Sequence, residues 1–338
     1  MVAAELKRLG PTSAQAPTPN VPPALTVPFV DRYGVGHPLD PTLRDRLKPG
    51  WRVMLDPVAV AEPPNDEALR KRSVNAQRVV GEARRLVEAF AGKPLGGRIL
   101  EIGCFDGSAA YDLARIPGST VVATDLARYY LIQRPGDPDT ADLAGQQAWL
   151  ATLRERARVV AGAAPGSVEF LEDDITESAL EPASFDAIVS FEVLEHVQQP
   201  RAALTAMARL LRPGGVIYHD YNPFFSAIGG HSLCTLDFPW GHARLDAGDF
   251  ERYLVEKRPA EAEQANRFFT QNLNRLTMAD LRADAAAAGL QALAVLPWHD
   301  RSRAADVSPD VLAEVRRTYP AATVEDLLAT FIAFVAVA

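Results

Sequence analysis

Short apolar runs alternate with helical patterns along most of the chain, and this alternation constrains the fold more than any other feature. Strands that are almost entirely apolar are typical of a parallel sheet that is buried on both faces, with helices connecting successive strands. The sequence therefore predicts an α/β fold with a doubly wound, mostly parallel, seven-stranded sheet. The predicted strands are 98–102, 120–125, 168–172, 185–190, 215–218, 290–296 and 330–337.

The segments outside this alternation predict the domain organisation. Residues 1–30 are rich in Pro, Ala and Thr and carry little charge, so we expect a disordered arm. Residues 31–92 are expected to form an N-terminal helical extension, because apolar residues recur at helical spacing towards its end. Residues 93–338 are expected to form the main α/β domain.

Two inserts are longer than the core of such a domain requires. The first is 127–167, and the second is 219–276, which holds many of the aromatic residues of the chain. Inserts beside the carboxyl ends of parallel strands commonly build ligand sites. We expect the second insert to be a lid over a substrate pocket, with its aromatic residues either walling this pocket or packing the lid onto the sheet. These residues are Tyr218, Tyr221, Phe224, Phe225, Phe238 and Trp240.

Charge and cysteine content limit the partners and the compartment. The formal net charge is −8, which argues against a surface that tracks nucleic-acid phosphates. Two cysteines, Cys104 and Cys234, are too few for a disulfide framework and favour a reducing compartment. We expect a cytoplasmic protein that acts on a small molecule, without nucleic acid or membrane as partner; a homodimer stays open.

The segment 98–107 carries the strongest functional signal in the chain. It reads as a strand, a tight turn and a helix, and it contains Gly103 and Gly107. Such a turn directs backbone N–H groups and the positive end of a helix towards one point, which is typical of a nucleotide-like cofactor site. A dinucleotide fingerprint would read G-x-G-x-x-G, and this spacing is absent here.

The same segment resembles motif I of the class I S-adenosylmethionine-dependent methyltransferases, an acidic residue followed by G-x-G-x-G. Glu101, Gly103 and Gly107 match this motif, whereas Phe105 stands where the middle glycine usually is. The resemblance implies that the loop, including Cys104 and Phe105, binds S-adenosylmethionine. It also implies that Phe105 reshapes the amino-acid end of the donor pocket.

Further motifs follow in the order of this superfamily. Asp125, with Leu126 after it, matches the acid that binds the ribose hydroxyls, and Asp174, with Ile175, matches the acid that binds the adenine amino group. The runs 184–197, which contains Phe191, and 210–215 resemble the motifs at the fourth and fifth strands. The resemblance extends from about residue 70 to the C-terminus and implies a Rossmann-like fold whose last strand is antiparallel and inserts before the sixth.

The run Glu192-Val-Leu-Glu-His196 is a candidate metal site. On a helix, Glu192, Glu195 and His196 would share one face, and two carboxylates with one imidazole suit Mg²⁺, Mn²⁺ or Zn²⁺. The run is similar to the metal-binding Glu-x-x-Glu-His of ubiquinone-pathway O-methyltransferases and small-RNA 2′-O-methyltransferases. His242 is the preferred fourth ligand, with His231 and His219 in reserve. In the alternative, no metal binds, Glu192 lines the donor pocket, and Glu195 pairs locally with His196.

Methyl transfer to a hydroxyl also requires a proton acceptor. Histidine titrates near neutral pH, and His219, His231 and His242 lie in or beside the expected lid. Each of them could instead be a hydrogen-bonded structural residue. The leading hypothesis is a transferase that methylates a sugar, phenol or natural-product hydroxyl. The alternatives are a non-catalytic S-adenosylmethionine-binding regulatory protein and a dinucleotide-dependent oxidoreductase.

Overall fold

The computed structural model describes residues 23–56, 63–133 and 141–338. The strands are β1 (Phe29–Val30), β2 (Gly36–His37), β3 (Arg98–Ile102), β4 (Thr120–Asp125), β5 (Val168–Glu172), β6 (Phe185–Phe191), β7 (Leu211–Tyr221), β8 (Gln291–His299) and β9 (Ala329–Val337). Seven of them form one sheet in the order β5-β4-β3-β6-β7-β9-β8, and β1 and β2 form a separate antiparallel pair. Strands β3 to β7 are parallel to one another, whereas β9 is antiparallel to both β7 and β8.

Helices connect these strands and build the inserts. The longest is capped at its start by the Asn65 side chain, which accepts the N–H of Ala68, and ends at Gly92 in a left-handed conformation. The helices are α1 (Leu43–Leu47), α2 (Asp66–Ala91), α3 (Ser108–Leu113), α4 (Ala127–Gln133), α5 (Leu143–Ala161), α6 (Pro200–Leu210), α7 (His231–Cys234), α8 (Gly241–Arg244), α9 (Ala247–Lys257), α10 (Ala262–Gln271), α11 (Met278–Ala287), α12 (Pro309–Thr318) and α13 (Val324–Leu328).

The predicted fold class is confirmed, including the antiparallel last strand between β7 and β8. The largest difference in length concerns β7, which was expected at 215–218 and runs over Leu211–Tyr221. At its carboxyl end, His219 and Asp220 pair with β6 on one side and β9 on the other, so pairing with distant strands extends β7 beyond its apolar core.

Apolar side chains cover both faces of the sheet, because successive residues of a strand point to opposite sides. Leu100 and Ile188 pack in one cluster with residues of α6 and α11, and Ile99 and Val189 pack in another with residues of α2 and α3. This two-sided burial explains why the strand sequences are nearly all apolar. None of the described helices combines the length and the apolarity that crossing a bilayer requires.

The start of the described chain packs onto the lid. Phe29 is fully buried in the same apolar cluster as the lid aromatics Phe224, Phe238 and Trp240. The expected disordered arm is therefore wrong for residues 23–30, while 1–22 lie outside the described residues. The extension 31–92 is also not purely helical, since the β1–β2 pair precedes α1.

The aromatic side chains of the lid mainly pack against one another in the interior of the lid. Phe224, Phe225, Phe238 and Trp240 lie in one buried cluster, and the indole N–H of Trp240 donates to the carbonyl oxygen of Leu327 at 3.1 Å. None of the six aromatics named above lines the cavity at the carboxyl ends of β3, β4 and β6. The packing interpretation of these side chains therefore describes the structure better than the pocket-wall interpretation.

Candidate active site

A cavity of about 500 Å³ opens at the carboxyl ends of β3, β4 and β6, the edge where doubly wound sheets bind ligands. It brings together seven of the ten residues expected to hold the donor. These are Gly103, Phe105, Asp125, Leu126, Asp174, Ile175 and Phe191.

The other three expected donor residues lie at the base of the cofactor loop. Gly107 precedes α3, and Glu101 and Cys104 are buried. Burial raises the pKa of Glu101 well above its ordinary value, and the nearby Asp106 and Asp125 raise it further. In the described part of the chain, the Oε2 atom of Glu101 has no hydrogen-bond partner. Its direct contact with the donor stays a prediction.

Two glycines of the loop are required by backbone conformation and by space. Gly103 has φ 70°, and a Cβ there would overlap the side chain of Val193. Gly107 has φ 77°, and a Cβ would lie 2.7 Å from Cζ of Phe170. Glycine adopts this left-handed region without a Cβ clash, so the matches to motif I have a physical cause.

Asp125 ends β4, lines the cavity and accepts several hydrogen bonds. Its Oδ1 atom accepts the N–H of Leu126 at 2.8 Å, and its Oδ2 atom accepts the N–H of Phe105 at 2.6 Å and the hydroxyl of Tyr130 at 2.8 Å. Burial raises the pKa of Asp125, and these hydrogen bonds oppose the rise. A carboxylate in this position can accept the hydroxyls of a ribose.

Asp174 follows β5 at the other end of the cavity. Its Oδ1 atom accepts the N–H of Thr176 at 2.8 Å and the hydroxyl of the same residue at 2.7 Å. These two bonds orient the carboxylate next to the buried Ile175. The arrangement fits the predicted contact with an adenine amino group, which remains a prediction.

The Glu192–His196 run is not an α-helix, and this corrects the expected metal geometry. Glu192 has φ 55°, and the helical turn that follows is a short 3-10 turn over Leu194–His196. The N–H of Glu192 donates to the main-chain oxygen of Asp220 at 2.9 Å and to its carboxylate at 3.1 Å. Because the helical register is broken at Glu192, its side chain lines the cavity without joining the other two candidate ligands.

Glu195 and His196 instead converge with His231. One potential ligand atom from each of the three residues lies within 4.8 Å of the other two. His242, the preferred fourth ligand, does not belong to this group of described residues, because its Nε2 atom lies 2.8 Å from the carbonyl oxygen of Phe224. His231, which the sequence suggested only as a reserve ligand, therefore takes the place expected for His242.

Burial controls the charge of this cluster. It raises the pKa of Glu195 to about 8, lowers the pKa of His196 to about 4, and lowers the pKa of His231 well below its ordinary value. The N–H of Asn222 donates to Oε1 of Glu195 at 3.1 Å. Within the residues that the structure describes, Oε2 of Glu195 and Nε2 of His231 are buried without a hydrogen-bond partner.

His219, the third candidate base, lies inside the core. Its Nδ1 atom is 2.7 Å from the hydroxyl of Ser190, and its Nε2 atom is 3.1 Å from the sulfur of Met207. It is fully buried and does not line the cavity. Burial lowers the pKa of His219 to about 3. Its contacts are those of a structural residue.

The sequence did not single out two residues near the site, Arg154 and Asp220. Arg154 contacts the loop from the first insert, and Asp220 lies near the end of β7 beside Glu192. Tyr130, in the cluster after Asp125 that the sequence predicts to pack beside the adenosine or to contact the acceptor, bonds Asp125. The hydroxyl of Tyr218 donates to Asp220 at 3.2 Å, and burial raises the pKa of Asp220 to about 7. Of Arg154 and Asp220, only Asp220 has a sequence signal, a carboxylate at the carboxyl end of a predicted parallel strand.

Comparison with known proteins agrees with this geometry. Residues 75–295 match the model of a family described as methyltransferase domain. The ubiquinone biosynthesis O-methyltransferase of Xanthomonas campestris pv. campestris is 34% identical over 123 residues, which cover 36% of this chain and 42% of that protein. The protein of the same name from Paracidovorax citrulli is 34% identical over 141 residues, covering 42% and 48%. The chain thus spans less than half the length of these curated relatives.

The matches among solved structures include two proteins named methyltransferases. A putative sarcosine dimethylglycine methyltransferase from Galdieria sulphuraria superposes with a TM-score of 0.44 at 14% identity, over 78% of this chain and 84% of that one. An S-adenosylmethionine-dependent methyltransferase from Mesorhizobium loti gives 0.43 at 16% identity, over 75% and 96%.

The family match covers well over half of the chain, so the protein belongs to the methyltransferase domain family, within the class I S-adenosylmethionine-dependent methyltransferases. The expectation of an S-adenosylmethionine-dependent methyltransferase is confirmed.

Proposed function

We propose that this methyltransferase transfers the methyl group to a hydroxyl oxygen of a small molecule such as a sugar, a phenol or a natural-product scaffold. The observation that carries the proposal is the cluster of Glu195, His196 and His231 beside the donor cavity, which His196 also lines. The relatives from Xanthomonas and Paracidovorax are named O-methyltransferases, and this supports oxygen as the methylated atom.

The chemistry sets what the protein must provide. The acceptor oxygen forms a bond to the methyl carbon, the carbon–sulfur bond breaks, and its electron pair leaves with S-adenosylhomocysteine. The hydroxyl proton must go to an acceptor group during or after this step. Because the sulfonium methyl is already electrophilic, alignment of the two reactants and removal of the proton are the main tasks.

His196 is unprotonated at neutral pH, because burial lowers its pKa to about 4. An imidazole of such low basicity is a weak proton acceptor for an alcohol, but a good ligand. Its Nδ1 atom donates to the carbonyl oxygen of Asn272 at 2.7 Å, so Nε2 is the nitrogen with a free lone pair. These properties favour a ligand role over the role of sole base.

The cluster fits a divalent cation. In the described chain, Oε2 of Glu195 and Nε2 of His231 are buried polar atoms without partners, and leaving such atoms unpaired is costly. We therefore assign Glu195, His196 and His231 as the ligands, and two imidazoles with one carboxylate favour Zn²⁺ over Mg²⁺. When bound, such an ion would lower the pKa of an acceptor hydroxyl. Glu192 and His242 are not part of this ligand set.

The metal assignment is tested by measuring bound metal in the wild type and in Glu195→Gln. Both proteins are dialysed against Zn²⁺, Mn²⁺ or Mg²⁺ and analysed by plasma mass spectrometry. We expect about one ion per wild-type chain and little in the variant, since a structural or catalytic site needs its deprotonated ligands. Glu192→Gln, at a cavity residue outside the ligand set, is the matched control and should keep its metal. Equal metal in wild type and Glu195→Gln would refute the assignment.

The acceptor class is tested separately with a panel of sugars, phenols and amines. Formation of S-adenosylhomocysteine identifies acceptors, and mass spectrometry of the products locates the methyl group. We expect O-methyl products. Methylation confined to amines would contradict the proposal and would leave the donor site and the family membership unaffected.

A further inference from the structure

The cofactor loop contains a conformational conflict at Phe105. This residue occupies the position where the resembled motif has glycine, and its φ is 43°. Residues with a Cβ disfavour this left-handed region, and bulky ones are rare there. Something else in the chain must therefore hold the loop in its present conformation.

The main-chain groups on both sides of Phe105 are held by side chains. Its N–H donates to Oδ2 of Asp125 at 2.6 Å, and its carbonyl oxygen accepts the Nε–H of Arg154 at 2.9 Å. A second nitrogen of Arg154 lies 3.5 Å from the same Oδ2 atom. Each of these three residues therefore contacts the other two. Arg154 contacts both Phe105, which has the left-handed φ, and Asp125, the predicted ribose acceptor.

The position of Arg154 is fixed by the insert that carries it. Arg154 lies on α5, and its main-chain oxygen accepts the hydroxyl of Tyr111 at 2.9 Å. Its guanidinium lies over the ring of Phe170, 4.8 Å from the centroid, and its side chain is only 14% exposed. Leu153, the preceding residue, is packed with Tyr111 in an apolar cluster. A buried arginine that is anchored in this way presents its donors in a defined direction.

We propose that Arg154 is a positioning residue for the methyl donor, which holds the Phe105 turn and the Asp125 carboxylate in the arrangement that binds S-adenosylmethionine. The first insert then serves the donor side of the site, and its Arg154 compensates for the missing middle glycine of the loop. Burial raises the pKa of Asp125, and the charge of Arg154 is among the interactions that oppose this rise. This assignment concerns the donor and is independent of the acceptor.

The first test measures donor affinity. Calorimetric titration with S-adenosylmethionine and S-adenosylhomocysteine compares the wild type with Arg154→Met and Arg154→Lys. We expect about tenfold weaker binding for Arg154→Met, because a charge-assisted hydrogen bond to the loop is lost, and a smaller loss for lysine, which keeps one donor. Arg156→Met on the same helix is the matched control, since Arg156 pairs with the exposed Asp66. Wild-type affinity in Arg154→Met would overturn the proposal.

The second test separates positioning from a general structural role. In a Phe105→Gly background the turn adopts positive φ without the Cβ penalty, so the loop needs less support from Arg154. We expect Arg154→Met to weaken donor binding less than about threefold there, a coupling that a double-mutant cycle measures. The same loss in both backgrounds would refute the role at Phe105. Arg154→Lys permits the same cycle if Arg154→Met does not fold.

Discussion

The Nδ1 atom of His196 lies 2.7 Å from the carbonyl oxygen of Asn272, so the lid selects the tautomer of a histidine that lines the donor cavity. The same segment of the lid holds the turn around His196. The side chain of Asn274 donates to the carbonyl oxygens of Leu194 and Val197 at 2.7 and 2.9 Å. Lid and sheet therefore build the site together, and the candidate ligands depend on both.

Replacement of His196 should separate turnover from donor binding. We expect His196→Ala to lower turnover at least about 100-fold, because it removes a group that acts on the acceptor hydroxyl. The affinity for S-adenosylmethionine should change little, since Asp125 at the end of β4 and Asp174 after β5 lie on other segments than the turn that carries His196. Turnover is measured with an acceptor from the hydroxyl panel, and affinity is measured by calorimetry.

His242→Gln is the control for this experiment. His242 is buried and bonded to the carbonyl oxygen of Phe224, and a glutamine amide can donate to the same oxygen. Turnover should stay within about twofold of wild type, because His242 does not line the cavity. A loss of turnover as large as that of His196→Ala would show that His242 acts in the active site.

Replacement of Asp125 should weaken the binding of the methyl donor. Asp125→Asn keeps the shape of the side chain but loses the charge and one acceptor atom. We expect S-adenosylmethionine to bind about 10- to 100-fold more weakly, the usual range for loss of hydrogen bonds to a charged group. Asp310→Asn, at an exposed position on α12, is the control and should bind normally. Unchanged affinity in Asp125→Asn would show that the ribose lies elsewhere.

The sheet could be predicted because each strand is indicated by its own short run of apolar residues. Strands β4 and β5 have the predicted bounds, since apolar residues such as Val121 and Val122 are buried on the two faces. The donor cavity followed from the resemblance, which is carried by short motifs at the ends of those strands. At Gly103 the match has a clear physical cause, because any side chain there would meet Val193.

The lid could not be predicted in the same way. Whether His196 meets His231 or His242 depends on packing between segments that are far apart in sequence, and no local pattern encodes it. The left-handed φ of Glu192 could not be predicted either, because the run has the regular residue spacing of a helix. The role of Arg154 is similarly long-range, since it lies 49 residues from the loop it contacts.

The N-terminal extension should contribute strongly to the stability of the lid. Arg44 donates to both carboxylate oxygens of Glu261, at 2.7 and 2.9 Å, and both side chains are buried. Arg44→Met leaves Glu261 with the longer 3.5 Å contact to Arg258, which also pairs with Asp237, so we expect a loss of about 3 kcal/mol in the free energy of unfolding. Urea unfolding measures the loss.

Arg46→Met provides the comparison for Arg44→Met. Arg46 lies on the same helix and pairs with Asp40, but both side chains are largely exposed. Exposed ion pairs contribute about 0–1 kcal/mol, so this variant should unfold almost like the wild type. Equal losses in the two variants would mean that the buried pair does not anchor the extension.

The buried His219 predicts how stability depends on pH. Burial lowers its pKa to about 3 in the folded protein, whereas the unfolded chain has the ordinary value near 6.5. Above pH 6.5 the side chain is neutral in both states and no penalty arises. As the pH falls from 6.5 towards 3, the unfolded chain binds a proton that the folded chain does not, and stability is lost.

His219→Gln removes this titration, since glutamine stays neutral while it retains groups that can bond the hydroxyl of Ser190. The replacement leaves a less favourable fit against Met207, so the variant should be less stable than wild type at pH 7.5. The difference in unfolding free energy should shrink by up to about 1.4 kcal/mol for each pH unit below 6.5, because only the wild type pays the protonation cost. Urea unfolding of both proteins at pH 7.5 and 5.5 measures this change, and a difference that stays constant would show that His219 is protonated in the fold.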